Sequence, residues 1–135
     1  MIKITKRSKG RSTAPNGYDL RLYINKAGKD ANGNQRMSYV ISTFDNAHVR
    51  ITTTEFVGIG IADDYSRMYF ETETKANGFK LSYNQTSPET TRFLKFGTEC
   101  APELAKFVGY YNLEFDEKEK LYFIRLREQA KAGAE

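Results

Sequence analysis

The sequence predicts an α+β fold that is mostly β, with antiparallel hairpins in a pseudo-repeated strand-helix-hairpin arrangement. Three observations carry that expectation. Apolar and polar residues alternate with a period of two over several short runs. Asn-Gly pairs, Asp and Gly punctuate those runs at the places where a chain reverses. Only one segment, near residues 102–108, carries helical spacing with a proline start and a glycine stop.

Taken in order, residues 6–17 (KRSKGRSTAPNG) hold almost nothing apolar and read as a basic flexible arm over 1–17. Tyr18, Leu20, Leu22 and Ile24 then alternate with Asp19, Arg21 and Tyr23, the pattern of a half-buried strand. Met37, Tyr39 and Ile41 repeat it against Arg36, Ser38 and Val40. The stretch NKAGKDANGN between them predicts a hairpin with a long basic tip. FDNAHVRI reads as a turn or short helix, and the threonine run Thr52-Thr53-Thr54 suits an edge strand, a loop or a capped turn equally well.

Val57, Ile59 and Ile61 predict a strand, Ala62 to Arg67 a turn, and MYFETE its return. Another strand fits Phe79, Leu81 and Tyr83, and NQTSPETT reads as a loop. RFLKF is a short strand, PELAKFVG a helix of about two turns, and YYNLEF/LYFIRL a last hairpin around DEKEK. Residues 18–127 are thus expected to form one globular domain with pseudo-repeats over 37–83 and 92–127, followed by a polar tail at 128–135. The repeat rests on element order and on Tyr69-Phe70 against Tyr122-Phe123; generic hairpin patterning is the competing explanation.

The bulk numbers exclude several classes. At 135 residues, 39% hydrophobic, with nine Phe, nine Tyr and no Trp, the chain is too apolar for disorder. It has no apolar run near the roughly 18 residues a membrane-spanning helix needs. The basic opening MIKITKRSKGRS is not followed by an apolar stretch, so no secretory signal is expected and a cytoplasmic setting is. One cysteine, Cys100, and one histidine, His48, neither close a disulfide nor build a zinc site or a Ser/His/Asp or Cys/His set, so neither an enzyme nor a cofactor is expected.

Charge is unevenly placed. Residues 1–36 hold nine Lys/Arg against Asp19 and Asp30, a net +7, and the remainder carries −3. That is the footprint of a polyanion partner, although a basic tail also serves solubility. The expected nucleic-acid contacts are Lys3, Lys6, Arg7, Lys9 and Arg11, continued by Arg21, Tyr23, Lys26, Lys29 and Arg36 on the first hairpin. Arg21 and Tyr23, two apart, share one strand face, where a phosphate partner and a stacking ring stand together. The alternative is a protein partner: a phage or mobile-element protein that inhibits a host protein such as a nucleic-acid-binding defence enzyme. It would use exposed tyrosines (Tyr69, Tyr110, Tyr122) and the acidic turn with Asp116 and Glu117. For these tyrosines cross-strand packing is the plain explanation, and for Asp63-Asp64 and Asp116-Glu117 ordinary turn chemistry is. Gly58-x-Gly60 lies inside a strand pattern with no third glycine opening a helix, so it is read as close packing rather than a nucleotide loop. Monomer and homodimer are both compatible with these features.

The order Arg92-Phe93-Leu94-Lys95-Phe96 (R-x-L-x-F), a short helix ending at Gly109 and an alternating hairpin across an acidic turn resembles the swapped-hairpin unit of AbrB-like DNA-binding regulators, over about residues 37–127. Because those proteins bind DNA as dimers of one such unit, the resemblance implies a fused pair. The strand-to-helix region here carries Glu99 and Glu103 in place of a basic cluster, which speaks against DNA contacts through it. The basic-aromatic hairpin at 18–43 is also similar to single-strand-binding sheets.

Overall fold

In a computed structural model, residues 17–83 and 90–127 are described. Nine strands form two antiparallel sheets: β1 Leu20–Lys29, β2 Gln35–Thr43, β3 Phe56–Ile61, β4 Arg67–Thr72, β5 Phe79–Lys80, β6 Arg92–Gly97, β7 Gly109–Tyr111, β8 Glu114–Asp116 and β9 Leu121–Arg125. One sheet runs β6-β2-β1-β7, the other β5-β3-β4-β9-β8. The mostly-β α+β class read from the sequence is the class observed. Helical structure is brief: α1 His48–Ile51 and two 3₁₀ segments, Thr98–Cys100 and Pro102–Phe107. The second of these occupies the segment expected to be a helix, wound more tightly than an α-helix. Among the described residues no helix is long and apolar enough to cross a membrane.

Alternation decides what each sheet buries. Leu20, Leu22, Tyr39, Ile41, Leu94, Phe96 and Tyr111 point inward from the first sheet, and Val57, Met68, Phe70 and Ile124 from the second, forming one cluster. The sheets are joined at one corner, where Ser82 and Phe93 exchange backbone hydrogen bonds of 2.8 and 2.9 Å. Opposite that corner the chain passes from β7 directly into β8, and the N–H of Leu113 donates to Asp19 Oδ2 at 2.8 Å. The expected single strand YYNLEF is therefore two strands in different sheets. Its alternation continues through Asn112-Leu113, but its hydrogen-bond partner changes from β1 to β9.

The first hairpin also differs from expectation. Its strands reach Lys29 and Gln35, so the tip is short. Asp30 Oδ1 accepts the N–H groups of Asn32 and Asn34, both at 2.9 Å, and Gly28 and Gly33 take positive φ (100° and 83°) at the bulge and the turn. All residues from Ile24 to Arg36 are exposed, so this ribbon projects past the core. The threonine run is a hydroxyl-laced loop into β3: Thr52 Oγ1 donates to Phe56 O at 2.8 Å and Thr54 Oγ1 to Glu73 O at 2.8 Å.

β4 pairs with β9 so that Tyr69 faces Phe123 and Phe70 faces Tyr122. Phe70 and Tyr122 pack toward the core, while Tyr69 and Phe123 lie on the other face. The repeated Tyr-Phe letters thus sit with their faces exchanged.

Candidate nucleic-acid interface

The outer face of the β6-β2-β1-β7 sheet follows from register. Because Leu20 and Leu22 are inward, Arg21 and Tyr23 are outward; Tyr110 and Ser42 flank Arg21, and Val40 and then Lys95 lie beside Tyr23. The Arg21 guanidinium carbon stands 4.6 Å from the Tyr23 ring centroid and 5.4 Å from that of Tyr110. Tyr110 continues the strip, with the Tyr18 ring at 5.5 Å and the Phe44 ring at 6.4 Å. All four rings are partly exposed and Arg21 is exposed. Val40, on the same face, is only 2% exposed, so the long side chains lie down across the sheet. Lys95 is exposed, its Nζ 5.8 Å from the Phe93 ring.

Among the described residues, neither Arg21 nor Lys95 has a carboxylate partner. The outer face of the other sheet is built oppositely. Arg67 Nη1 donates to Asp116 Oδ2 at 3.0 Å and to Tyr69 Oη at 3.1 Å, Tyr69 Oη donates to the same Asp116 oxygen at 3.1 Å, and Arg125 Nε meets Glu114 at 2.9 Å. Phe123 lies beneath the two arginines, 4.2 Å from the guanidinium carbon of Arg67 and 5.5 Å from that of Arg125. On that face both arginines are paired with carboxylates. The Asp116 carboxyl is held below the usual carboxylate range by the N–H of Glu119, then by the Tyr69 hydroxyl, the N–H of Lys118 and the Arg67 charge.

The sequence-derived positions distribute as follows. Arg21, Tyr23 and, by alternation, Arg36 share the outer face, Arg36 standing about 20 Å along the ribbon from the row of Arg21. Lys26, opposite Met37, belongs to the other parity, and so does Lys29 beyond the bulge, opposite Gln35. Lys3, Lys6, Arg7, Lys9 and Arg11 lie outside the described residues. The tyrosines named for a protein partner do not form one patch. Tyr69 is tied to Arg67 and Asp116, Tyr122 packs toward the core, and Tyr110 stands beside Arg21; Glu117 is exposed in the turn after β8. Sequence reasoning missed Tyr18, Phe44, Phe93 and Lys95 as companions of Arg21. Alternation along 92–96 places Phe93 and Lys95 on one face, but nothing local tells that β6 and β7 flank the first hairpin.

A groove of about 510 Å³ lies elsewhere, lined in part by His48, Thr54, Leu81, Tyr83 and Arg92. Within it the buried His48 Nδ1 has no hydrogen-bond partner among the described residues, and burial followed by the Arg92 charge pushes the imidazole below its usual value. Gly58, one of the two glycines of β3, is a close-approach site: a Cβ there would stand 2.7 Å from Glu73 Cγ. No three His, Cys, Asp or Glu of the described residues gather as a group able to hold a metal ion.

Comparison with protein-family models, with curated proteins and with solved structures finds no match. The chemistry of the site carries the functional argument by itself.

Proposed function

We propose that this protein binds nucleic acid through the outer face of the β6-β2-β1-β7 sheet and the basic ribbon that extends it, with the basic residues of the N-terminal segment adding phosphate contacts. The observation that supports this reading is the state of Arg21. It lies against two tyrosine rings with no carboxylate partner among the described residues, whereas Arg67 and Arg125 on the outer face of the other sheet each pair with one. A cation left without an internal counterion, on a face with rings, suits a phosphate chain. The reading is of a binding protein rather than an enzyme, acting in the cytoplasm. DNA is the expected partner, in keeping with the swapped-hairpin resemblance, which covers Lys95 and Tyr110 of the contact face but not Arg21 and Tyr23.

Fluorescence anisotropy of labelled oligonucleotides at two salt concentrations tests it. Micromolar or tighter binding that weakens steeply with salt is expected; no binding at low salt contradicts the proposal.

A second reading, an inhibitor that binds a host protein such as a nucleic-acid-binding defence enzyme, has one observation in its favour. Phe115 on the short edge strand β8 is 44% exposed, 5.0 Å from the Tyr122 ring. An aromatic pair at a sheet edge is a typical protein anchor. If that reading holds, Phe115→Ser weakens capture of a protein partner and leaves oligonucleotide affinity unchanged.

A further inference from the structure

We infer that the outer face takes a single strand, whose bases stack on Tyr23 and Tyr110 while its phosphates meet Arg21 and Lys95; this rests on the reading above that the face binds nucleic acid. Ring geometry is the first reason. Tyr23, Arg21 and Tyr110 form a continuous strip of π faces and guanidinium, and Tyr18 and Phe44 extend it beyond Tyr110. Partly exposed rings beside cations that have no carboxylate partner among the described residues are what an unstacked base and its phosphate require together. In a duplex the base faces are covered by their neighbours, and such rings find nothing to stack on.

Width is the second reason. Four strands spaced about 4.8 Å apart span about 14 Å between the outer two, before side chains are added. The major groove of B-DNA is about 12 Å wide and admits a two-stranded ribbon, so this face cannot reach base edges in an intact duplex. The molecule also carries a ribbon of duplex-reading shape, the exposed projection from Ile24 to Arg36. That ribbon offers Lys26, Lys29 and Arg36 but no aromatic residue. The ribbon thus has cations without rings, whereas on the broad face the rings stand beside Arg21 and Lys95, where only a single strand can use both.

The test compares a short labelled oligothymidylate with a mixed-sequence duplex of equal length, at one low salt concentration, for the wild type and for Tyr23→Leu and Tyr110→Leu. Leucine preserves the apolar cover of the sheet and removes the stacking ring. The single strand is expected to bind at least tenfold tighter than the duplex, and each substitution to weaken it by roughly tenfold with little change for the duplex. Because either substitution can perturb folding, wild-type protein is also photocrosslinked to an iodouracil-substituted single strand and the attached peptides are mapped. Adducts at Tyr18, Tyr23 or Tyr110 support the inference. Duplex binding as tight as single-strand binding, or adducts confined to residues 26–36 or to the N-terminal segment, overturns it and leaves the nucleic-acid reading standing. Absence of binding to either probe removes both.

Discussion

Arg21 and Arg67 are the same residue type on the outer faces of two sheets of one molecule, and their neighbours give them opposite chemistry. Arg67 is consumed by Asp116 and Tyr69, at 3.0 and 3.1 Å, while Arg21 lies against the Tyr23 and Tyr110 rings with no carboxylate partner among the described residues. The Asp116 network predicts acid sensitivity. Its carboxyl titrates below the ordinary value of 3.8 when folded, so its contribution is fully present above that value and is lost as the pH falls through the lower folded-state value. Asp116→Asn should flatten the decline of the urea midpoint below pH about 4; parallel profiles for variant and wild type would contradict this account of the turn. Tyr39 makes a buried counterpart. Its hydroxyl donates to the carbonyls of Ala101 and Pro102, at 2.7 and 3.2 Å, and burial pushes its pKa above the ordinary phenol value. Tyr39→Phe keeps the ring and leaves those carbonyls without the donor, so a loss of about 1–2 kcal/mol in denaturant unfolding is expected.

Elements show what local sequence can and cannot announce. Leu20, Leu22, Tyr39, Ile41, Val57, Met68 and Phe70 are all buried where their alternation places them, since a sheet face is fixed by parity alone. The extent of the first hairpin was not legible. Apolar alternation stops near Ile24, but backbone pairing continues to Lys29 because a ladder needs no apolar side chain and Asp30 closes the turn. The 3₁₀ segment Pro102–Phe107 was visible from Pro102, Leu104 and Gly109, though not its tighter winding. Leu104 is fully buried, and Tyr111 donates to the carbonyl of Phe107 at the end of the segment. Leu104→Ala should therefore cost about 2–5 kcal/mol in chemical denaturation, through the cavity it leaves. A loss under 1 kcal/mol would mean that the segment is not anchored by its leucine.

For the molecule as a whole, the decisive juxtapositions are non-local. β7 lies beside β1 across most of the chain length, pairing Leu20 with Tyr111, and β6 lies beside β2, pairing Thr43 with Arg92. Arg21 and Tyr23 could be placed on one face from their spacing; Tyr110 and Lys95 could not be placed there without the strand order. The doubled Tyr-Phe phrase illustrates the converse, because similar letters at Tyr69-Phe70 and Tyr122-Phe123 occupy opposite faces of paired strands. Placement also separates the two outer faces electrically: one holds Arg21 and Lys95 without carboxylate partners among the described residues, the other pairs Arg67 with Asp116 and Arg125 with Glu114. Phosphate contact at the first of these faces is what the proposed function requires. The most direct measurement is the salt dependence of single-strand affinity for the wild type and for Arg21→Gln/Lys95→Gln. Each lost phosphate contact should lower the slope of log affinity against log salt by about 0.7, so the double variant should be shallower by about 1.4. Equal slopes for the two proteins would contradict the claim that this face is where nucleic acid binds.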